Sequence, residues 1–482
     1  MTALGAIQLE CGMVALALLT LLADAFRPMA DKRRLGYILA TAVAVLLIYS
    51  FTLQAQATTY FHGMYRLDTL ALYFKRLFLV ATLLVLVMGA EFAERFESGV
   101  AEFYVLVLLA ATGMLLTGSV NDFVLMFVAL ELVTITFYIL TSFLRRQVQS
   151  LEAGTKYLIL GALSSGFTVY GIAYIFGTTG TTNFDMLAVT LKSGTTGPAF
   201  TLGMLLVMTG LGFKIASVPF QIWAPDVYQG APTPVTAFLA VGSKMVGFVL
   251  LLRVLLVGLL PVSALWTTLV LVLAAATLLY GNLGALPQTN IKRLLGYSSI
   301  GHAGYLLMGV AAVNAIGAGA VLFYLGQYAF TNLCAFLAII AVTNVTKTDE
   351  IVGFAGLGRR APVLGLGLFV ALMSLAGVPP LSGFFGKFQL FAAVIERAQT
   401  DGHYYVLAGI GAAAVVISLY FYLNVAKAIY LQEPAAGAAP IPVSRPMRAA
   451  LYFCMVAIIG LGIFQRPLVE AAVKAATVFQ LK

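Results

Sequence analysis

Charge is scarce in this sequence of 482 residues: Asp, Glu, Lys and Arg together make up 10%. A soluble domain is about one quarter charged, so a cytosolic enzyme is excluded. The 61% hydrophobic content excludes a disordered chain. Cysteine is scarcer still. Cys11, Cys334 and Cys454 lie far apart with no C-x-x-C pair, which excludes a disulfide-rich secreted scaffold and gives no basis for a zinc or iron–sulfur site. His62, His302 and His403 are isolated from one another, and no metal cluster follows from them. No hydrophilic domain is present. The longest polar connections, about 178–198 and 432–448, read as Gly/Thr-rich and Pro/Ala-rich loops, which leaves no room for a soluble catalytic module. Gly353-Phe-Ala-Gly-Leu-Gly358 has no strand before it and reads as a loop turn, and Gly386-Lys387 lacks the upstream glycine and following Ser or Thr of a phosphate loop.

What the sequence has is long apolar runs. They fall at about 4–26, 35–54, 69–90, 101–120, 122–144, 155–177, 199–222, 232–258, 265–286, 294–313, 317–344, 362–399, 404–431 and 449–465. One crossing needs about 20 apolar residues, so these predict an all-α polytopic membrane protein of about 14 transmembrane helices, a single transmembrane domain over 1–482. The first run has no basic stretch before it and is followed by Asp24 and Arg27, so it reads as a retained helix and not a signal peptide. Two runs contain breaks, around Pro219 and around Pro379-Pro380. A bilayer tolerates such breaks only where protein or water satisfies the freed backbone groups.

The formal charge of +9 reads as membrane orientation and not as nucleic-acid binding, because the basic residues fall mostly in short loops. One side carries Arg27, Lys32, Arg33, Arg34, Arg95, Arg145, Arg146, Lys156, Lys292, Arg293, Lys347, Arg359, Arg360, Arg445 and Arg448. The other carries Arg66, Lys75, Arg76, Lys192, Arg397, Arg466, Lys474 and Lys482. The longer list predicts the cytoplasmic face, which puts both termini on the opposite, periplasmic side of a bacterial inner membrane. The bilayer is then one partner, and nucleic acid is not.

Ionisable residues in the middle of apolar helices carry the functional information, since each costs about 2.5–3.5 kcal/mol on insertion scales. Glu131 lies nine residues from Asp122 and fourteen from Arg145, near mid-membrane. Lys214 precedes the first break by five residues, Lys244 is midway along the eighth helix, and Lys387 follows the second break. Three lysines cannot all pair with one carboxylate. A desolvated lysine gives up its proton more readily than one in water, so a set of them can act as a proton relay, whereas buried ion pairs that only fix helix packing are the plainer reading. Two readings also stand for Lys156, near a helix start: a relay member, or a cation reaching to the interface. His302 is suited to proton transfer or to a hydrogen-bonded place in the core. Asp122 reads as a helix-start residue and Arg253 as an anchor near a helix end. The 33 Phe, 22 Tyr and 2 Trp read as lipid-facing and interfacial surface.

Three stretches resemble a known family: Lys214-Ile-Ala-Ser-Val-Pro-Phe-Gln-Ile-Trp-Ala-Pro-Asp-Val-Tyr-Gln-Gly-Ala-Pro-Thr-Pro-Val235, Ile291-Lys-Arg-Leu-Leu-Gly-Tyr-Ser-Ser-Ile-Gly-His302 and Pro379-Pro-Leu-Ser-Gly-Phe-Phe-Gly-Lys387. They are similar to the antiporter-like membrane subunits of NADH-quinone oxidoreductase (respiratory complex I), and the Pro-Asp-Val-Tyr-Gln-Gly-Ala-Pro stretch is similar to subunit N. The resemblance implies two inverted five-helix repeats, 101–258 (helices 4–8) and 265–431 (helices 9–13), with discontinuous helices 7 and 12. It implies relay roles for Glu131, Lys214, Lys244 and Lys387, and counterparts in Lys156 and His302. It also implies proton translocation driven by electron transfer from NADH to quinone. No cofactor is expected in this chain; NADH, FMN, iron–sulfur clusters and quinone are expected in partner subunits, among which are the neighbouring membrane subunits of the complex. Where the family often has His, this chain has Gln221. Two other functions remain open on sequence grounds: an Mrp-type sodium/proton antiporter subunit, and a passive membrane scaffold.

Overall fold

The computed structural model describes residues 2–26, 32–56, 58–96, 98–194, 196–434 and 440–481; Arg27 and Lys482 lie outside them. Each apolar run carries a helix. In chain order these are α1 (Gln8–Phe26), α2 (Lys32–Ser50), α3 (Thr69–Phe92), α4 (Val100–Gly118), α5 (Phe123–Thr141) and α6 (Val148–Thr179). Then come α7a (Pro198–Ile215) with α7b (Trp223–Gly230), α8 (Thr233–Gly258), α9 (Ser263–Ala285), α10 (Ile291–Ala312) and α11 (Ala315–Thr346). The last are α12a (Pro362–Ala376) with α12b (Ser382–Ala398), α13 (His403–Tyr430) and α14 (Arg445–Ile463). Among the described residues 12 helices are long and apolar enough by themselves to cross a membrane. The remaining two crossings are α10, and α12 with its two shorter halves.

Polar residues set the helix starts. Asp68 accepts from Ala71 N at 2.8 Å to cap α3, and Asp122 accepts from Val124 N at 2.7 Å to cap α5. Asn290, Asn314 and Ser444 cap α10, α11 and α14 in the same way, satisfying amide groups that nothing in a helix reaches. Two connections are more ordered than their composition suggested. Asn183 caps a helix over Phe184–Lys192 inside the 178–198 stretch, and a two-stranded hairpin pairs β1 (Thr59–Tyr60) with β2 (Tyr65–Arg66). The basic residues Arg466 and Lys474 lie on a further helix, α15 (Arg466–Ala476), packed on α11 and α3.

The helices form an inner group and an outer ring. α8 is buried along its whole membrane window and α3, α4 and α11 over most of theirs, whereas α1, α2, α6, α9, α13 and α14 bury fewer than half of their window residues. Lipid gives helices no hydrophobic reason to associate, so close packing must do it. Glycine permits that packing at two crossings: a Cβ on Gly281 of α9 would lie 2.2 Å from Gly301 N of α10, and one on Gly171 of α6 would lie 2.7 Å from Gly203 O of α7a.

Candidate functional site

The seventh and twelfth helices break where the sequence placed the breaks. Ala216, at φ 57°, ends α7a, and Gly377, at φ 89°, ends α12a. A break leaves carbonyl and amide groups without intrahelical partners, and in a membrane interior each must find one. Around the first break Trp223 Nε1 donates to Phe213 O at 3.0 Å, and Val218 N donates to Thr277 Oγ1 at 3.0 Å. Gln221, in the same gap, is buried and its Oε1 has no hydrogen-bond partner.

Three of the freed carbonyls go to lysines. Lys244 of α8 donates to Ile215 O, the last carbonyl of α7a, at 3.4 Å and to Ser299 O of α10 at 2.8 Å. Lys387 of α12b donates to Leu375 O and Ala376 O, the last carbonyls of α12a, at 2.9 and 3.0 Å. Its ammonium also lies 4.8 Å from the centre of the Tyr305 ring. Lys214, in the last turn of α7a, donates to Thr134 Oγ1 at 2.9 Å and Tyr157 OH at 3.5 Å. All three lysines are buried, and among the described residues none makes an ion pair. Uncharged oxygens surround them, which a lysine can bond either as an ammonium or as a neutral amine.

Glu131 and Lys214 are not in direct contact. Glu131 is half-buried and accepts from Ser165 Oγ of α6 at 2.6 Å. Thr134, one turn along α5, is the residue that meets Lys214, which leaves the carboxylate within electrostatic reach of the lysine. Glu131 shares its face of α5 with the exposed Val124, Val128, Ile135 and Ile139. The acid therefore lies at the edge of the chain, and the lysine lies inside.

His302 of α10 is held by two unbroken helices and lies within electrostatic reach of both Lys244 and Lys387. Its Nδ1 is 2.7 Å from Tyr324 OH of α11 and its Nε2 is 3.2 Å from Tyr422 OH of α13, and the Tyr422 hydroxyl bonds that of Ser298. One residue along α10, Ser299 Oγ meets the hydroxyls of Tyr228 and Tyr328, each at 3.1 Å. Lys214, Lys244, His302 and Lys387 thus make up an interior polar line, with Glu131 outside it at the edge of the chain. The hydroxyls between them both donate and accept, which is what proton hand-over requires. Lys156 does not join that line: it is partly exposed at a charged rim, 2.7 Å from Glu152 and 2.6 Å from Asp226, which Arg293 also meets at 2.6 Å.

Three readings from composition need correction. The tyrosines are not only interfacial: Tyr157, Tyr305, Tyr324, Tyr328 and Tyr422 are fully buried beside the lysines and His302. A signal for this was present in the i, i+4, i+7 spacing of Ser298, His302 and Tyr305, which puts all three on one face of a helix. Arg253 is not an interfacial anchor but is fully buried, bonding Asp68 at 2.8 and 3.0 Å. Lys75 is not a loop cation: seven residues into α3, it is fully buried and bonded to Glu10.

Comparison with known proteins follows the same outline. Residues 119–418 match the family described as NADH:quinone oxidoreductase/Mrp antiporter, TM. NADH-quinone oxidoreductase subunit N of Moorella thermoacetica is 40% identical over 98% of this chain and 96% of its own. The subunit N of Heliobacterium modesticaldum is 40% identical over 97% and 96%. A chain of respiratory complex I from Thermus thermophilus superposes with a TM-score of 0.80 at 32% identity, covering 96% of this chain and 98% of that one. A chain of the Mrp complex from Dietzia sp. shares the fold, with a TM-score of 0.84 at 24% identity over 99% and 97%. On this full-length similarity, the chain belongs to the subunit N family of NADH-quinone oxidoreductase.

Proposed function

We propose that this chain translocates protons as a membrane subunit of an NADH-quinone oxidoreductase, in a bacterial inner membrane with both termini on the periplasmic side. In this reading NADH oxidation and quinone reduction, with FMN and iron–sulfur clusters, belong to partner subunits. The observation that carries it is the lodging of Lys214, Lys244 and Lys387 on hydroxyls and broken-helix carbonyls, with no counterion in contact among the described residues. A packing role for a buried cation calls for a paired anion; these lysines instead have partners that serve them charged or neutral.

The position of Glu131 supports a trigger at the edge of the chain. A neighbouring membrane subunit that covers the outward face of α5 alters the charge or hydration of Glu131, and the field at Lys214 changes with it. Lys214 then passes its proton by way of Lys244, the Ser299 and tyrosine hydroxyls and His302 to Lys387. Gln221 cannot titrate, but its free carbonyl oxygen offers an acceptor at the first break. Lys156 and its rim partners are placed to exchange protons with the cytoplasmic side.

Lys214→Ala and Glu131→Ala in the assembled complex test the proposal. Quinone reduction with reduced proton uptake per electron is expected. Assembly with full pumping in both variants leaves scaffolding as the function, and sodium-driven proton exchange by the isolated chain in liposomes assigns it to the antiporters.

A further inference from the structure

A second group of buried ionisable residues lies apart from that line, towards the face at which α1 begins. Lys75 of α3 bonds Glu10 Oε1 of α1 and, at 2.6 Å, the hydroxyl of Tyr65. The Tyr65 hydroxyl also lies 3.0 Å from Glu10 Oε1. Lys75 is 0% and Glu10 4% exposed, and Glu10 Oε2 is buried with no partner. Within electrostatic reach of Lys75 is the Asp68–Arg253 pair, whose guanidinium also bonds Gly118 O at 2.7 Å.

Next to the group in the sequence lies a partly exposed charged pair. Tyr65 is followed in β2 by Arg66, which meets the partly exposed Asp185 at 2.5 Å. Asn121 donates to the same carboxylate at 2.9 Å, and its own buried Oδ1 is unpartnered. Inward, Arg253 stands on the same helix as Lys244, nine residues on, or about 13 Å at the helical rise. The stretch between them, Met245–Leu252, is wholly apolar. Helix α8 has π-helical turns at Leu239–Ser243, just before Lys244, and at Val254–Gly258, just after Arg253; such turns recur at functional sites.

A buried ion pair is weak evidence for a stabilising role, since apolar residues of similar volume often do as well, and the pairing of Lys75 with Glu10 leaves room for chemistry beside packing. Ammonium, phenol and carboxylate in mutual contact can instead exchange a proton with no change of net charge: Lys75 Nζ loses it, Glu10 gains it, and an amine and a carboxylic acid replace the ion pair. We propose that Glu10, Tyr65 and Lys75 are a second proton-exchange site, joining the interior line to the aqueous phase on the face where α1 begins. The apolar stretch of α8 is the barrier that stops back-flow between the two. The proposal rests on the proton-translocating reading above.

The test uses the assembled complex in sealed vesicles, with quinone reduction and proton uptake measured together. Lys75→Arg retains a cation that can bond Glu10 but cannot release a proton near neutral pH, so in the assembled complex it separates charge from proton release. The expected result is assembly with quinone reduction retained and a proton yield per electron reduced to the level of Lys214→Ala. Glu10→Gln, which keeps an acceptor and the side-chain size, is expected to do the same, and Lys75→Arg decides if Glu10→Gln fails to assemble. Full proton yield in Lys75→Arg beside a reduced yield in Lys214→Ala overturns this site and leaves the main reading intact. Full yield in both overturns both.

Discussion

Lys387 and Ala376 meet across the break in α12, the lysine ammonium of the second half 3.0 Å from the last carbonyl oxygen of the first. Lys244 stands in the same relation to Ile215 at the end of α7a, at 3.4 Å. In each case a cation occupies the negative end of a half-helix, where backbone dipoles favour positive charge. The breaks are thus what allow lysines in the middle of a membrane protein.

Gly377 tests this relation for α12. Its φ is 89°, and a Cβ there would lie 3.0 Å from Lys387 Cδ. Gly377→Ala therefore adds left-handed strain of about 1–2 kcal/mol and presses on the lysine stem. The assembled variant is expected to show a lower proton yield per electron. Gly402→Ala, where a Cβ meets nothing within 4 Å, is expected to match the unmodified complex in the same vesicle assay.

His302 separates hydrogen bonding from proton transfer. His302→Phe strips the Tyr324 hydroxyl of its ring-nitrogen partner, while Tyr422 keeps Ser298, and a buried polar group left unpaired costs about 1–3 kcal/mol. His302→Gln offers a donor and an acceptor but cannot titrate. Thermal unfolding in detergent is expected to fall for the Phe variant and hold near the original for the Gln variant, with proton uptake slowed in both. Full uptake in His302→Gln assigns the histidine to the core alone.

The Asp68–Arg253 pair makes a stability prediction. Breaking a buried pair from one side costs about 3–5 kcal/mol, because a charge is left without a partner. Asp68→Ala is expected to lower the unfolding temperature sharply, and adding Arg253→Leu to restore most of the loss. About 1 kcal/mol should remain missing, since Asp68 also caps α3 through Ala71 N.

Helix number, both breaks and the mid-membrane charges were legible because insertion cost makes a charge in an apolar run conspicuous. What was not legible was pairing across the chain. Lys75 looked like a loop cation because its partner Glu10 lies 65 residues away, and Arg253 looked like an anchor because Asp68 lies 185 residues away. The tyrosines escaped because an aromatic residue raises no alarm in an apolar run, whichever way it faces. Thr134 and Ser165 are equally quiet letters; only the packing of α5 against α6 and α7a shows that one serves Lys214 and the other Glu131.

Glu131 and Ser165 give the last prediction, which asks whether the charge or its hydrogen bond matters. Ser165→Ala removes the 2.6 Å bond to Glu131 Oε1 and leaves the carboxylate. A hydrogen bond to a charged group is worth about 1.5–3 kcal/mol, but Glu131 is half-buried, so solvent or a neighbouring chain can replace a good part of it. Glu131→Gln does the reverse, keeping an oxygen for Ser165 and losing the charge that reaches Lys214. If the field at Lys214 drives transfer, Glu131→Gln lowers the proton yield well below that of Ser165→Ala at equal assembly. Equal losses would mean that the serine bond, by fixing the position of the side chain, is what Lys214 depends on.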